Sequence, residues 1–153
     1  MPLIEFENVG VTFDTSTGQR TVLQDINLSL DERRIGIIGA NGSGKSTLVR
    51  LINGLAEPTS GHVRVAGLDV AKSGRQVRRK VGFVFSDADN QIIMPTVAED
   101  VAFSLRATSM NSQERKERAA AMLRTMGLEH LAESSPHFLS GGEKQLLALA
   151  AVL

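Results

Sequence analysis

Two stretches near the start alternate apolar and polar positions with a period of two. "LIEFENVGVTF" (3–13) and "TVLQDINLSL" (21–30) carry β-branched residues on that alternation and predict strands. "DTSTGQR" (14–20), between them, is rich in Asp, Ser, Thr and Gly and predicts the turn. "RRIGIIG" (33–39) contains a short unbroken apolar run. Such a run needs cover on both faces, which predicts a central strand of a parallel sheet at Ile35–Ile38. "KSTLVRLINGL" (45–55) places Leu48, Leu51, Ile52 and Leu55 at helical spacing. "EPTSGHVRVAGLDV" (57–70) reads as turn, strand, turn, and "RRKVGFVF" (78–85) ends in another buried strand.

The remainder predicts helices with their own start signals. "TVAEDVAFSLR" (96–106) has Thr96 as N-cap and Glu99 three residues later. "NSQERKERAAAMLRTMGL" (111–128) has Asn111 and Glu114 as a capping pair. Ala119, Met122, Leu123 and Met126 form its buried stripe, and Gly127 is its stop. "LSGGEKQLLALAAVL" (139–153) opens on Ser140 as an N-cap and continues as an apolar helix. These elements predict an α/β domain with a helical insertion from about Pro95 to Phe138.

Composition narrows the classes. Seventeen Lys and Arg balance seventeen Asp and Glu, so no basic excess points to a nucleic-acid binder. With six Phe and neither Trp nor Tyr, a base-stacking platform is not expected. Cysteine is absent, which excludes a disulfide framework and a thiolate metal site. "MPLIEFENVG" lacks the basic and apolar blocks of a signal peptide, and no apolar run approaches the ~20 residues that span a bilayer. The expectation is a soluble protein whose membrane role, if any, needs a partner.

"GANGSGKST" fits G-x-x-x-x-G-K-[ST] between a predicted strand and a predicted helix, the context the motif requires. The expected nucleotide-binding set is Gly39, Ala40, Asn41, Gly42, Ser43, Gly44, Lys45, Ser46 and Thr47. The glycines let the backbone turn tightly and present its N–H groups to one point. The following helix adds free amides and its positive dipole end. Lys45 reaches the β- and γ-phosphates, Ser46 offers a hydroxyl to Mg²⁺, and Thr47 is a secondary contact. The plain alternative is a flexible Gly/Ser loop, which the flanking strand and helix disfavour. The loop identifies a ligand and leaves kinases, GTPases, helicases and transport ATPases open.

"LSGGEKQ" separates these classes. A capped helix N-terminus with Gly141 and Gly142 leaves bare backbone, which makes a second anion site. With one P-loop in the chain, a second γ-phosphate sensor is useful only if it faces another chain's nucleotide. The plain alternative is an ordinary capped helix.

The combination resembles the nucleotide-binding domain of the ABC ATPases, over Ile4 to Leu153. Gly39–Thr47 match that family's Walker A, and Leu139, Ser140, Gly141, Gly142 and Gln145 lie in its signature motif, which faces the partner's nucleotide. Phe13 matches the aromatic residue that stacks on adenine; the plain alternative is a core Phe. "VGFVFSDADNQIIMPTVAEDVAFSLR" resembles the energy-coupling factor branch, importers of vitamins and of cobalt or nickel ions, and the chain as a whole is nearest to the biotin importers. One position departs from the pattern. The family carries a glutamine after "VGFVF" that touches Mg²⁺, and this chain has Ser86: either Gln91 substitutes or the metal is held less completely by Ser86, and the plain alternative for Ser86 is a loop serine.

The resemblance implies a P-loop NTPase core with a small antiparallel β-subdomain (residues 1–94 with the core), a helical subdomain (95–138) and the signature segment (139–153). It implies ATP and Mg²⁺ as ligands and a second ATP-binding subunit, identical or not, as partner. It also implies a transmembrane coupling subunit, a substrate-binding membrane subunit, no nucleic acid, and a place on the cytoplasmic side of the membrane. The family's Walker B strand, its acids and its switch histidine follow the signature. Residues 146–153 hold no acid and no histidine, and His62, His130 and His137 precede the signature. The expectation is a domain truncated before Walker B, with no identifiable catalytic acid and no turnover by this chain alone. The alternatives are a binding-only or non-functional half-domain and a soluble ABC protein of repair or translation.

Overall fold

The computed structural model describes residues 3–153. The chain forms two compact units, the first ending at Gly82 and the second running Phe83–Leu153.

In the first unit β1 (Ile4–Thr15) and β2 (Gly18–Leu30) form a long antiparallel hairpin. β3 (Ser60–Val65) pairs with the other edge of β1, and β4 (Leu68–Asp69) with β3, giving the sheet order β2-β1-β3-β4. The hairpin is tighter than expected. Thr15 pairs with Gly18, so most of "DTSTGQR" is strand and only Ser16 and Thr17 make the turn. Cross-strand pairing extends the ladder into polar residues, with Thr12 and Thr21 hydroxyls 3.2 Å apart across it. The apolar face of the sheet (Phe6, Val9, Val11, Leu23, Val63, Val65) packs with Leu51 of α1 (Lys45–Ile52) and with Val70 and Val77 of α2 (Val70–Val77).

The predicted central strands do not form. Residues 35–38 and 81–85 join no ladder among the described residues, and Ile38 is 99% exposed. A run that is apolar on both faces becomes a buried strand only with hydrogen-bonded neighbours and cover on each side. The described residues supply neither.

The second unit is helical: α3 (Val97–Ser104), α4 (Ser112–Thr125) and α5 (Gly141–Ala150). Its core is Val97, Val101, Ala119, Leu123, Leu128, Leu139, Leu147 and Ala150. The predicted caps are in place. Thr96 accepts from the Glu99 amide, and Asn111 and Glu114 close a reciprocal capping box. Gly127 takes φ +71°, the left-handed stop that a side chain would strain. Buried Asp100, 4% exposed, accepts from the amides of Ile93 and Met94 and so fixes the loop before α3.

Candidate nucleotide-binding site and signature helix

The site begins at Gly44. Its φ is +88°, and a Cβ there would come within 2.9 Å of Leu23 and 3.1 Å of the Val22 carbonyl, so only glycine lets the loop pass under β2. Gly44 caps α1 without any side-chain hydrogen bond, leaving the first-turn amides for an external acceptor. Lys45 Nζ donates to the carbonyls of Gly39 and Ala40 at 2.7 Å each, which holds the ammonium over the loop. The Ser43 amide closes the turn onto the Ala40 carbonyl at 3.2 Å.

This loop forms one wall of a cavity of about 480 Å³ lined by Phe13, Arg20, Asn41, Lys45, Ser46 and Thr47 among others. Phe13 is 47% exposed and is not a core residue, which removes the plain alternative for it. Arg20, directly across the ladder from Phe13, was not singled out from sequence; only strand register could have found it. The hydroxyl of Ser46 makes no hydrogen bond among the described residues. No group of three or more His, Cys, Asp or Glu among them could hold a metal ion. A single hydroxyl beside a phosphate cradle fits Mg²⁺, which takes few protein ligands and completes its shell with phosphate oxygens and water.

In the second unit Ser140 caps α5. The Ser140 amide and hydroxyl each donate to Glu143 Oε2 at 2.7 Å, and the Glu143 amide donates back to Ser140 Oγ at 3.4 Å. These donors hold the Glu143 carboxyl below its ordinary value. A Cβ at Gly141 or Gly142 would meet nothing within 4 Å, so the start of α5 presents open backbone. Leu139 differs from the expectation. Its side chain is 6% exposed and belongs to the core, so it anchors the motif and does not face a ligand.

Gln145 also has an internal role, donating from Nε2 to the Ser86 carbonyl at 2.9 Å. Gln91 is committed at both ends. Its Oε1 accepts from the Phe85 amide at 3.1 Å, and its Nε2 donates to the Ala148 carbonyl at 2.8 Å. Lys144 pairs with Asp89 at 2.6 Å. Segment 85–91 is thereby tied to α5 at three points. Of the two candidates for the metal-facing position, Gln91 has both ends of its amide engaged. The exposed Ser86 keeps an unbonded hydroxyl among the described residues.

A P-loop cradle and a glycine-opened helix start preceded by Leu-Ser define a nucleotide-binding cassette. Residues 23–153 match the ABC transporter family, and the chain belongs to it. It is 45% identical over 150 residues to the biotin transport ATP-binding protein BioM of Rhizobium etli, spanning 98% of this chain and 65% of that protein. It is 41% identical over 155 residues to the energy-coupling factor transporter ATP-binding protein EcfA1 of Oenococcus oeni, spanning 100% of this chain and 55% of that protein. Among solved structures, CbiO1 of Clostridium perfringens, part of the ABC transporter complex cbiONQ, superposes with a TM-score of 0.80 at 31% identity, covering 99% of this chain and 61% of that one. The ATP-binding cassette MJ0796, a dimer in a post-hydrolysis state bound to ADP and Pi, gives 0.85 at 31% identity, covering 98% and 68%. Two Bartonella relatives are 46% identical over all 153 residues, and the chain spans 66% of their length. Among the described residues, no helix is long and apolar enough to cross a membrane.

Proposed function

We propose that the chain is the ATP-binding subunit of an energy-coupling factor-type importer, lying peripherally on the cytoplasmic face of the membrane. The observation that carries this reading is the presence in one chain of a P-loop cradle and of the open, glycine-bearing start of α5. The names of BioM, EcfA1 and CbiO1 support the branch, and BioM favours biotin over a cobalt or nickel ion as cargo. A second ATP-binding subunit, a transmembrane coupling subunit and a substrate-binding membrane subunit are the partners.

The residues divide the work. Phe13 offers a ring face to adenine. The loop amides and α1 dipole hold the phosphates, and Lys45 leaves the loop carbonyls for their oxygens. The Ser46 hydroxyl would hold Mg²⁺, which would supply neutralisation of the phosphate charge. Ser140, Gly141 and Gly142 cover the partner's γ-phosphate. Leu139 seats that helix, and Gln145 and Gln91 fix it to the segment carrying Ser86.

A second reading, binding without turnover, is favoured by one specific observation. Five carboxylates of the second unit are engaged locally: Asp87 by Asp89 and Asn90, Asp89 by Lys144, Glu99 by Thr96, Asp100 by two amides and Glu143 by Ser140. Sedimentation velocity of the full chain tests the main reading. MgATP is expected to drive dimerisation, and Ser140→Ala to weaken it. A sedimentation coefficient indifferent to both nucleotide and Ser140 would refute the sandwich-dimer reading.

A further inference from the structure

The segment from Val70 to Ser86 carries Lys72, Arg75, Arg78, Arg79 and Lys80 and no acidic residue, in a chain whose charges balance overall. All five side chains are exposed. Among the described residues none of them forms an ion pair. The P-loop does not use them. Two of the five, Arg75 and Arg78, line a cavity of about 250 Å³ in the first unit, floored by Ala56, Pro58 and Val70.

Arg78 is held there by geometry. A Cβ at Gly74 would come within 3.0 Å of its Nη1, and one at Gly54 within 3.5 Å, so the guanidinium lies across two residues that lack side chains. The Arg78 amide donates to the Gly74 carbonyl at 2.9 Å, which ends α2 and turns the side chain back over that glycine. The result is a planar fork of N–H donors placed at a cavity, with no acceptor for it among the described residues. That donor set matches a phosphate oxyanion, which a guanidinium binds bidentately. Glu57 lines the same cavity, but it pairs with neither arginine, and the lining keeps a net positive charge: two arginines against one glutamate. Lys72, Arg79 and Lys80 add to the local field from the same segment.

We propose that Arg75 and Arg78, over Gly54 and Gly74, form a second phosphate-binding site, separate from the P-loop, for a phosphate monoester carried by an anionic lipid head group or by a soluble ester. The site is independent of the nucleotide reading.

The test uses the full chain carrying Lys45→Ala, so that the P-loop contributes little. Inorganic phosphate is titrated by calorimetry, and vesicles of phosphatidylcholine with and without phosphatidic acid are assayed by flotation. Saturable phosphate binding that weakens about tenfold with Arg78→Gln, the size of one charge-assisted pair, supports a site open to soluble esters. Flotation that requires phosphatidic acid and is lost with Arg78→Gln, without binding of free phosphate, supports the head-group source. Gly74→Ala keeps every charge but displaces the guanidinium, and it is expected to weaken binding as well; its circular dichroism, with that of Arg75→Gln, guards against a misfolded variant. Binding unchanged by all three substitutions, absence of binding in both assays, or tighter binding to duplex DNA than to either probe would overturn the proposal.

Discussion

Gln91 spans from the Phe85 amide to the Ala148 carbonyl, at 3.1 and 2.8 Å, and so joins an extended segment to the last turns of α5 through one side chain. An amide can do this because it donates at one end and accepts at the other. Gln91→Ala is expected to destabilise the second unit by about 1–3 kcal/mol, from two lost hydrogen bonds and their unpaired backbone partners. Thermal unfolding checks this. Nucleotide affinity measured at several Mg²⁺ concentrations should keep its metal dependence, whereas a changed dependence with unchanged melting temperature would return Gln91 to the metal.

Phe13 lines the P-loop cavity while nearly half exposed, so its removal should leave the fold intact. Phe13→Ala is expected to weaken adenine nucleotide binding about three- to tenfold, the worth of one aromatic contact, with an unchanged melting temperature. Phe13→Tyr should retain affinity. Inorganic triphosphate, which has no base, should bind parent and variant alike.

The Glu143 carboxyl is held below its ordinary value by hydrogen bonds from Ser140. Its contribution to the α5 cap is therefore complete above the unfolded-state value. It is lost as pH falls through the lower folded-state value. The difference in melting temperature between the parent and Glu143→Gln, followed from about pH 6 to about pH 3, should shrink across that acidic window. A difference that stays constant through the window would contradict the cap's ionic character.

Because residues 146–153 hold no acid, and Asp87, Asp89, Glu99, Asp100 and Glu143 already have local partners, residues 1–153 are expected to bind ATP without turning it over at an enzymatic rate. Phosphate release by the purified chain should match that of Lys45→Ala. Release well above that level would reveal an acid acting from an engaged position.

The elements most legible in the sequence were those written locally. Thr96 with Glu99, Asn111 with Glu114, and Ser140 ahead of two glycines each fix a helix start through contacts three residues apart, and all three helices begin there. The P-loop was equally legible, because its glycines and lysine act within nine residues. The strands at 35–38 and 81–85 were misread, because a strand depends on neighbours remote in sequence, and an apolar run alone cannot supply them. α2 was missed for the opposite reason. "AKSGRQV" is polar, contains Gly74 and is kinked at Ser73; the Asp69 cap on the Lys72 amide and the burial of Val70 and Val77 make it a helix. The internal role of Gln145 and the burial of Leu139 were hidden behind a motif whose letters suggest ligand contact throughout. Fold, not spelling, decides which letters face outward.

The central claim is that Gly39–Thr47 cradle nucleotide phosphates, with Lys45 moving from the carbonyls of Gly39 and Ala40 to the ligand. Isothermal titration of MgATP into the full chain and into Lys45→Ala tests it most directly. The expected result is saturable binding by the parent, about ten- to a hundredfold weaker in the variant, as for a lost charged hydrogen bond. Equal affinity in the two proteins, with both folded by circular dichroism, would contradict it.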